Sequence, residues 1–496
     1  MPDLWTQLAD LPRPTLKELF AGDSDRVAHY SADVAGLHFD WSKTHLDDDV
    51  VKTLGAIAED AGFDAAREAL FSGQVVNPSE GRAATHVAER GEGAADDVRA
   101  ARAMHARMRA LIDAIEAEAL GPIRHVLHVG IGGSALGPDL LIDALGREDR
   151  RYDVAIVSNV DGCALEEAVA GFDPRATLLA VASKTFTTTE TMRNAESALV
   201  WMREGGVEDP YGQVIALTAS PDKAIEWGVD ETRVLPFAES VGGRYSLWSS
   251  IGFPAAIGLG WSAFEELLEG AAEMDRHFRL AALAENMPLR AAFADLYYTQ
   301  ARGCETRAVF AYDERLRLLP PYLQQLEMES NGKRVTASGA PLARPSAAIT
   351  WGGVGTDAQH AVFQLLHQGT HLVPVEFVAA IEPGDTLDPE HHRQLLSNAL
   401  AQGAALMAGK ASDDGNRDYP GDRPSTTILI DVLEPRTLGA LIAFYEHRVF
   451  ANAVLLGINP FDQFGVELGK AMARAAGEGG GDFDASTRAL MARAGL

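Results

Sequence analysis

Residues 125–139 read HVLHVGIGGSALGPD. A short apolar run breaks into a glycine-rich loop, and Pro138 stands where a helix would begin. Glycines at 130, 132, 133 and 137 let the backbone approach a neighbour or a ligand closely. The same alternation recurs downstream. YDVAIVS (152–158), ATLLAVAS (176–183) and GQVIALT (212–218) are apolar runs separated by helical stretches at roughly thirty-residue spacing. Strands buried on both faces with helices between them predict a parallel α/β sheet with crossover connections.

A second set follows in RAVFAYD (307–313), SAAITWG (346–352), LVPVEFVAA (372–380), TTILIDV (426–432) and FANAVLLGIN (450–459). The expected fold is α/β, with two doubly wound, mostly parallel sheets and helices on both faces. The first ninety residues read mostly as helices, with start signals at Pro14-Thr15 and at Asp47 to Asp49. The expected organisation is a helical part over 1–90 belonging to the larger domain, a smaller domain over 91–284 and the larger one over 285–496.

Composition narrows the function classes. Hydrophobic residues make up 47% and charged residues 23%, the balance of a packed globular chain. A net charge of -28 repels nucleic acid and anionic lipid surfaces alike, so neither is an expected partner. Cys163 and Cys304 are too few for a disulfide framework or a thiolate metal site. With no basic segment followed by an apolar run at the start, this favours a cytoplasmic protein. The uncharged stretch YSLWSSIGFPAAIGLGWSAF (245–264) carries serines, glycines and Pro254, so it reads as buried core rather than a membrane span.

Ligands in such sheets bind beyond the carboxyl ends of the strands. After the first strand, the glycine loop holding Gly133 and Ser134 suits a phosphate, a sugar or simply a tight turn. A dinucleotide needs an acid closing the second strand, and that strand ends in Ser158-Asn159. After the third strand, Ser183-Lys184-Thr185-Phe186-Thr187-Thr188-Thr189 sets five hydroxyls and one ammonium before a helix start, which is the make-up of a phosphate cradle.

Arg244, ahead of the uncharged stretch, needs either a structural carboxylate or an anion in a pocket. His360 falls in the first turn of a helix opened at Thr356 and ended by Gly369, a place suited to a histidine that shuttles protons. His360, His367 and His371 straddle that helix's end and bring no carboxylate or cysteine, so a metal site is disfavoured. In LPPYLQQLEMESNGKRV (319–335) two acids, Glu327 and Glu329, stand in a loop or short helix. In NPFDQFGVELGK (459–470) Gln463, Glu467 and Lys470 follow a segment read as a strand.

Taken together, GIGGSALGP, SKTFTTTETMRNA, GGRYSLWSSIGFPAAIG, QQLEMESNGK, GTDAQHAVFQLLHQGT and NPFDQFGVELGK resemble the glucose-6-phosphate isomerase family. The likeness extends to LKELFAGDSDR, GLHFDWSK and LGALIAFYEHRVF, so it runs over nearly the whole chain. It implies two sugar-isomerase (SIS-type) domains, a homodimer, no cofactor and no metal, and interconversion of glucose 6-phosphate and fructose 6-phosphate.

By the same resemblance Gly133, Ser134, Ser183, Lys184, Thr185, Thr188, Gln325 and Gln463 bind the phosphosugar. Glu329 is the base, His360 and Lys470 open the ring, with His360 contributed across the dimer interface, and Arg244 also lines the pocket. That chemistry suits the residue types. One carboxylate can carry a proton between C2 and C1, and a fixed guanidinium can stabilise the enediolate between them. The alternatives are an isomerase of another hexose phosphate such as mannose 6-phosphate, or a non-catalytic phosphosugar-binding protein. The sequence has Thr189 where the family commonly has glutamine, and it is short around 339–346.

Overall fold

The computed structural model describes residues 3–147 and 150–496. They form two compact units, one running up to Pro460 and one over Phe461–Leu496. Both sheets belong to the first unit.

One sheet is all parallel and has the order β4-β3-β5-β6-β7, from β3 (His125–Val129), β4 (Asp153–Val157), β5 (Thr177–Ala182), β6 (Val214–Thr218) and β7 (Val234–Pro236). Every residue of β5 is buried, as helices on both faces require. The chain leaves β3 toward β4 on one side and returns to β5 on the other. A crevice therefore opens beyond the carboxyl ends of β3 and β5. The loops that begin at Gly130 and Ser183 issue from those two ends.

The other sheet repeats the pattern. β8 (Thr306–Tyr312), β9 (Ile349–Val354), β10 (Val375–Ala380) and β11 (Ser425–Ile430) are parallel and ordered β11-β10-β8-β9, so its switch point lies between β8 and β10. The connection after β8 leads into helix Leu319–Asn331, which carries Glu329.

Two departures from the sequence reading have physical causes. The N-terminal ninety residues include a hairpin of β1 (Ser31–Val34) and β2 (Leu37–Asp40), with β2 antiparallel to β11 at the sheet edge. Its two-residue turn is Ala35-Gly36, both with positive φ, at 53° and 74°. Such turns usually advertise themselves with Asn-Gly or Asp-Gly, and alanine conceals this one. FANAVLLGIN is not a strand: it ends helix Pro435–Leu456, which is buried on nearly every side. A helix apolar all round shows no helical period, so its last turns look like a buried strand. This helix crosses helix Trp261–Leu280 at close range. A Cβ on Gly270 would fall 1.8 Å from the Arg436 carbonyl oxygen, and one on Gly439 2.1 Å from that of Leu267.

Between the second sheet and the buried helix lies an ionic cluster. Arg448 donates to Asp295 through Nε at 2.7 Å and to Glu376 through Nη1 at 2.7 Å. Glu376 also accepts from Arg307 at 3.1 Å and from the Tyr445 hydroxyl at 2.8 Å. Glu327 completes it, bound to Arg307 and to the Thr350 hydroxyl. Removing Arg448 would set two buried carboxylates, Glu376 and Glu327, and the part-buried Asp295 against one arginine. We expect Arg448→Met to cost about 3–5 kcal/mol of stability, measured as a lower denaturant midpoint. An unchanged midpoint would show the cluster to be solvated.

Candidate active site

The site grows from the two strand ends of the first sheet. After β3 the chain makes a single 3-10 turn, Gly132–Ser134. His128, wholly buried within β3, bonds through Nε2 to the Ser134 carbonyl oxygen at 2.7 Å and ties the turn to the sheet. Burial pushes the His128 imidazole down to about 4, so it stays neutral and Nε2 carries the donated proton. Gly132 has φ +56°, and a Cβ there would lie 2.8 Å from the Gln325 amide nitrogen. A Cβ on Gly133 would lie 2.2 Å from the Gly243 carbonyl and 2.5 Å from the Arg244 amide nitrogen. Only glycine lets these backbones meet, and the contact places Ser134, Arg244 and Gln325 around one point.

After β5 the loop turns into helix Thr189–Glu204. Ser183 Oγ and Thr188 Oγ1 are 3.0 Å apart, and Thr185 Oγ1 and Thr187 Oγ1 are 2.9 Å apart. The Thr188 side chain does not cap the helix, which leaves the first-turn amides free for an anion. Lys184 donates from Nζ to the Val241 carbonyl at 3.0 Å. Burial, reinforced by the charge of Arg82, lowers its ammonium to about 8, and Arg244 acts in the same direction.

From the other sheet comes helix Leu319–Asn331, where Glu327 and Glu329 part company. Glu327 faces the ionic cluster. Glu329 turns toward the glycine loops: its Oε2 accepts from Gln325 Nε2 at 2.7 Å and its Oε1 lies 3.8 Å from Arg244 Nη1. Its side chain is 23% exposed against 2% for Arg244, so the carboxylate is open to a small molecule while the guanidinium is held inside. Arg244 donates through Nε to Ser330 Oγ at 2.6 Å and through Nη2 to the Pro460 carbonyl.

The first unit thus brings together Gly133, Ser134, Arg244, Gln325 and Glu329, with Lys184 of the hydroxyl loop in electrostatic reach of Arg244. His360 is exposed on helix Asp357–Gln368, and among the described residues no hydrogen bond or ion pair joins it to Glu329 or Arg244. Gln463 and Lys470 are exposed in the C-terminal unit, Gln463 in the loop before helix Glu467–Gly477 and Lys470 on that helix. The segment before them ends a helix, not a strand. Sequence reasoning passed over His128, Tyr245 and Ser330. The first two sit in apolar runs and look like core, and Ser330 reads as part of a turn, whereas the helix continues through Asn331. Among the described residues no three His, Cys, Asp or Glu side chains are grouped to hold a metal ion.

A family model described as phosphoglucose isomerase matches residues 40–491. The chain belongs to the phosphoglucose isomerase family. A glucose-6-phosphate isomerase from Rhizorhabdus wittichii is 70% identical over 491 residues, covering 99% of this chain and 98% of that one. One from Zymomonas mobilis is 63% identical over 492 residues, with 99% and 97% covered. The solved structure of a glucose-6-phosphate isomerase from Chlamydia trachomatis superposes with a TM-score of 0.88 at 30% identity, covering 95% of this chain and 94% of that one.

Proposed function

We propose that this member of the phosphoglucose isomerase family interconverts glucose 6-phosphate and fructose 6-phosphate, with Glu329 as the base that moves the proton. The observation that carries the assignment of the base is the Glu329 carboxylate, bound by Gln325 and 3.8 Å from the buried Arg244 guanidinium. The aldose and the ketose differ in two protons, one moved between the C2 and C1 oxygens and one moved between the carbons C2 and C1 themselves. Glu329 takes the latter from one carbon and returns it to the other, and Arg244 stabilises the negative oxygen of the cis-enediolate between them.

Ser183, Lys184, Thr185 and Thr188 hold the phosphate at the start of helix Thr189–Glu204, and Gly133, Ser134, Gln325 and Gln463 hold the sugar. Opening the ring takes a proton delivered to the ring oxygen and another removed from the C1 hydroxyl, the task given to His360 with Lys470. The exposed position of His360 supports its acting as His360 of the partner subunit in a homodimer, which makes an isolated monomer inactive. Among the described residues no helix is long and apolar enough to cross a membrane, and both cysteines are free, which supports a place in the cytoplasm.

The test is conversion of fructose 6-phosphate by purified protein after exhaustive chelation, side by side with mannose 6-phosphate. Rapid conversion of the first and slow conversion of the second is expected, and no turnover of either would sink the proposal.

Lys184 adds a pH signature. Its ammonium titrates near 8 in the free protein, so it is charged below that pH and neutral above it. Phosphate prefers the charged form, and kcat/KM should therefore fall as pH rises through about 8. Lys184→Met should remove that limb and weaken substrate binding by about 1.5–3 kcal/mol at neutral pH. The same alkaline limb in Lys184→Met would reassign it to another group.

A further inference from the structure

We propose that Ser330 is a positioning residue which, together with Tyr245, fixes the Arg244 guanidinium at a set distance from the Glu329 carboxylate. The proposal rests on the reading that Arg244 and Glu329 act at the sugar. Arginine has a long side chain with many rotamers, and left to itself it would average over several orientations. A stabiliser of a transient negative oxygen works only when its donors are already aimed.

Here the aim comes from the residue next to the base. Ser330 is fully buried, and its hydroxyl oxygen accepts from Arg244 Nε at 2.6 Å. The same oxygen shares a 2.9 Å hydrogen bond with the hydroxyl of Tyr245. Tyr245 is itself buried, with its ring against His86 at 4.8 Å between centroids and the Arg244 guanidinium carbon 5.5 Å from its ring centre. The next residue, Asn331, donates from Nδ2 to the Val449 carbonyl at 3.0 Å and pins this end of the helix to the buried helix Pro435–Leu456.

Glu329 and Ser330 are consecutive, so their side chains leave the helix about 100° apart. Arg244 reaches both, with Nε on Ser330 and Nη1 toward Glu329. The guanidinium thereby becomes a rigid bracket on one turn of helix. Two adjacent residues set the base and the near side of the guanidinium, while the Pro460 carbonyl holds Nη2. A lost hydroxyl removes the anchor at Nε and leaves Nη2 on the Pro460 carbonyl, so the plane can pivot about that end, which leaves phosphate and sugar binding in place but blurs the alignment.

The experiment measures kcat and KM for fructose 6-phosphate in Ser330→Ala, Tyr245→Phe, Arg244→Ala and the double variant Arg244→Ala/Ser330→Ala. Ser330→Ala should lower kcat roughly 10- to 100-fold, the scale of a misplacement of about 1 Å, with KM changed little. Tyr245→Phe, which removes one hydroxyl and keeps the ring, should lower kcat in the same direction by less. If Ser330 acts through Arg244, the second substitution should add no further loss in the Arg244→Ala background. A native kcat in both Ser330→Ala and Tyr245→Phe, or losses that simply multiply in the double variant, would overturn the proposal. A near-native rate in Arg244→Ala would instead overturn the catalytic reading beneath it.

Discussion

Glu329→Gln should abolish most isomerisation, lowering kcat by at least about 10²- to 10⁴-fold, while substrate still binds. The substitution is nearly isosteric, and the amide oxygen can still accept from the Gln325 amide that now meets Glu329 Oε2 at 2.7 Å. Lys333 donates to the Glu329 backbone carbonyl, a contact the change leaves alone. The phosphate loop starts from a different sheet and is untouched. What disappears is the only function a neutral amide cannot supply, accepting a proton from carbon and giving it back. Ring opening, assigned to His360 and Lys470, should survive, so the variant should still interconvert the anomers of glucose 6-phosphate. A variant with near-native isomerisation would mean that another group is the base.

Arg244→Ala should lower kcat by about 10²- to 10³-fold, the loss seen when one preorganised donor to a developing oxyanion is removed. Arg244 is 5% exposed and anchored at both ends of its guanidinium, by Ser330 and by the Pro460 carbonyl. Lysine is a poor substitute. A single ammonium cannot hold both anchors and still face Glu329, so Arg244→Lys should recover only a small part of the rate. Separate measurement of KM distinguishes this from lost binding: a rise in KM with kcat intact would make Arg244 a substrate anchor rather than a stabiliser of the enediolate.

Much of this was legible in the chain, for reasons that also explain what was not. HVLHV, ATLLAVA and GQVIALT are strands because runs buried on both faces must be apolar throughout, and each stops at a glycine or hydroxyl-rich loop. The same rule misread FANAVLLGIN, since a helix buried on all sides is equally apolar. The β1–β2 hairpin escaped because Ala35 takes a backbone conformation usually given to glycine or asparagine.

Within LPPYLQQLEMESNGKRV, sequence alone could not say why there are two acids. A helix turns residues two apart to well-separated directions, and here it sends Glu327 into the ionic cluster and Glu329 toward Arg244. Glu327 therefore has a structural task, visible only once Arg307 of β8 is known to lie beside it. Ser330 was hidden for the same reason: its partner, Arg244, is far away in sequence.

The most direct test of the central claim is conversion of fructose 6-phosphate by the chelated protein in deuterium oxide, with deuterium at C2 of the product read by nuclear magnetic resonance. A carboxylate that carries the proton exchanges it with solvent in some turnovers. Glucose 6-phosphate should therefore gain deuterium at C2 over many turnovers, with no such gain in Glu329→Gln. Full conversion with no deuterium at C2, as a direct hydride shift would give, would contradict the central claim.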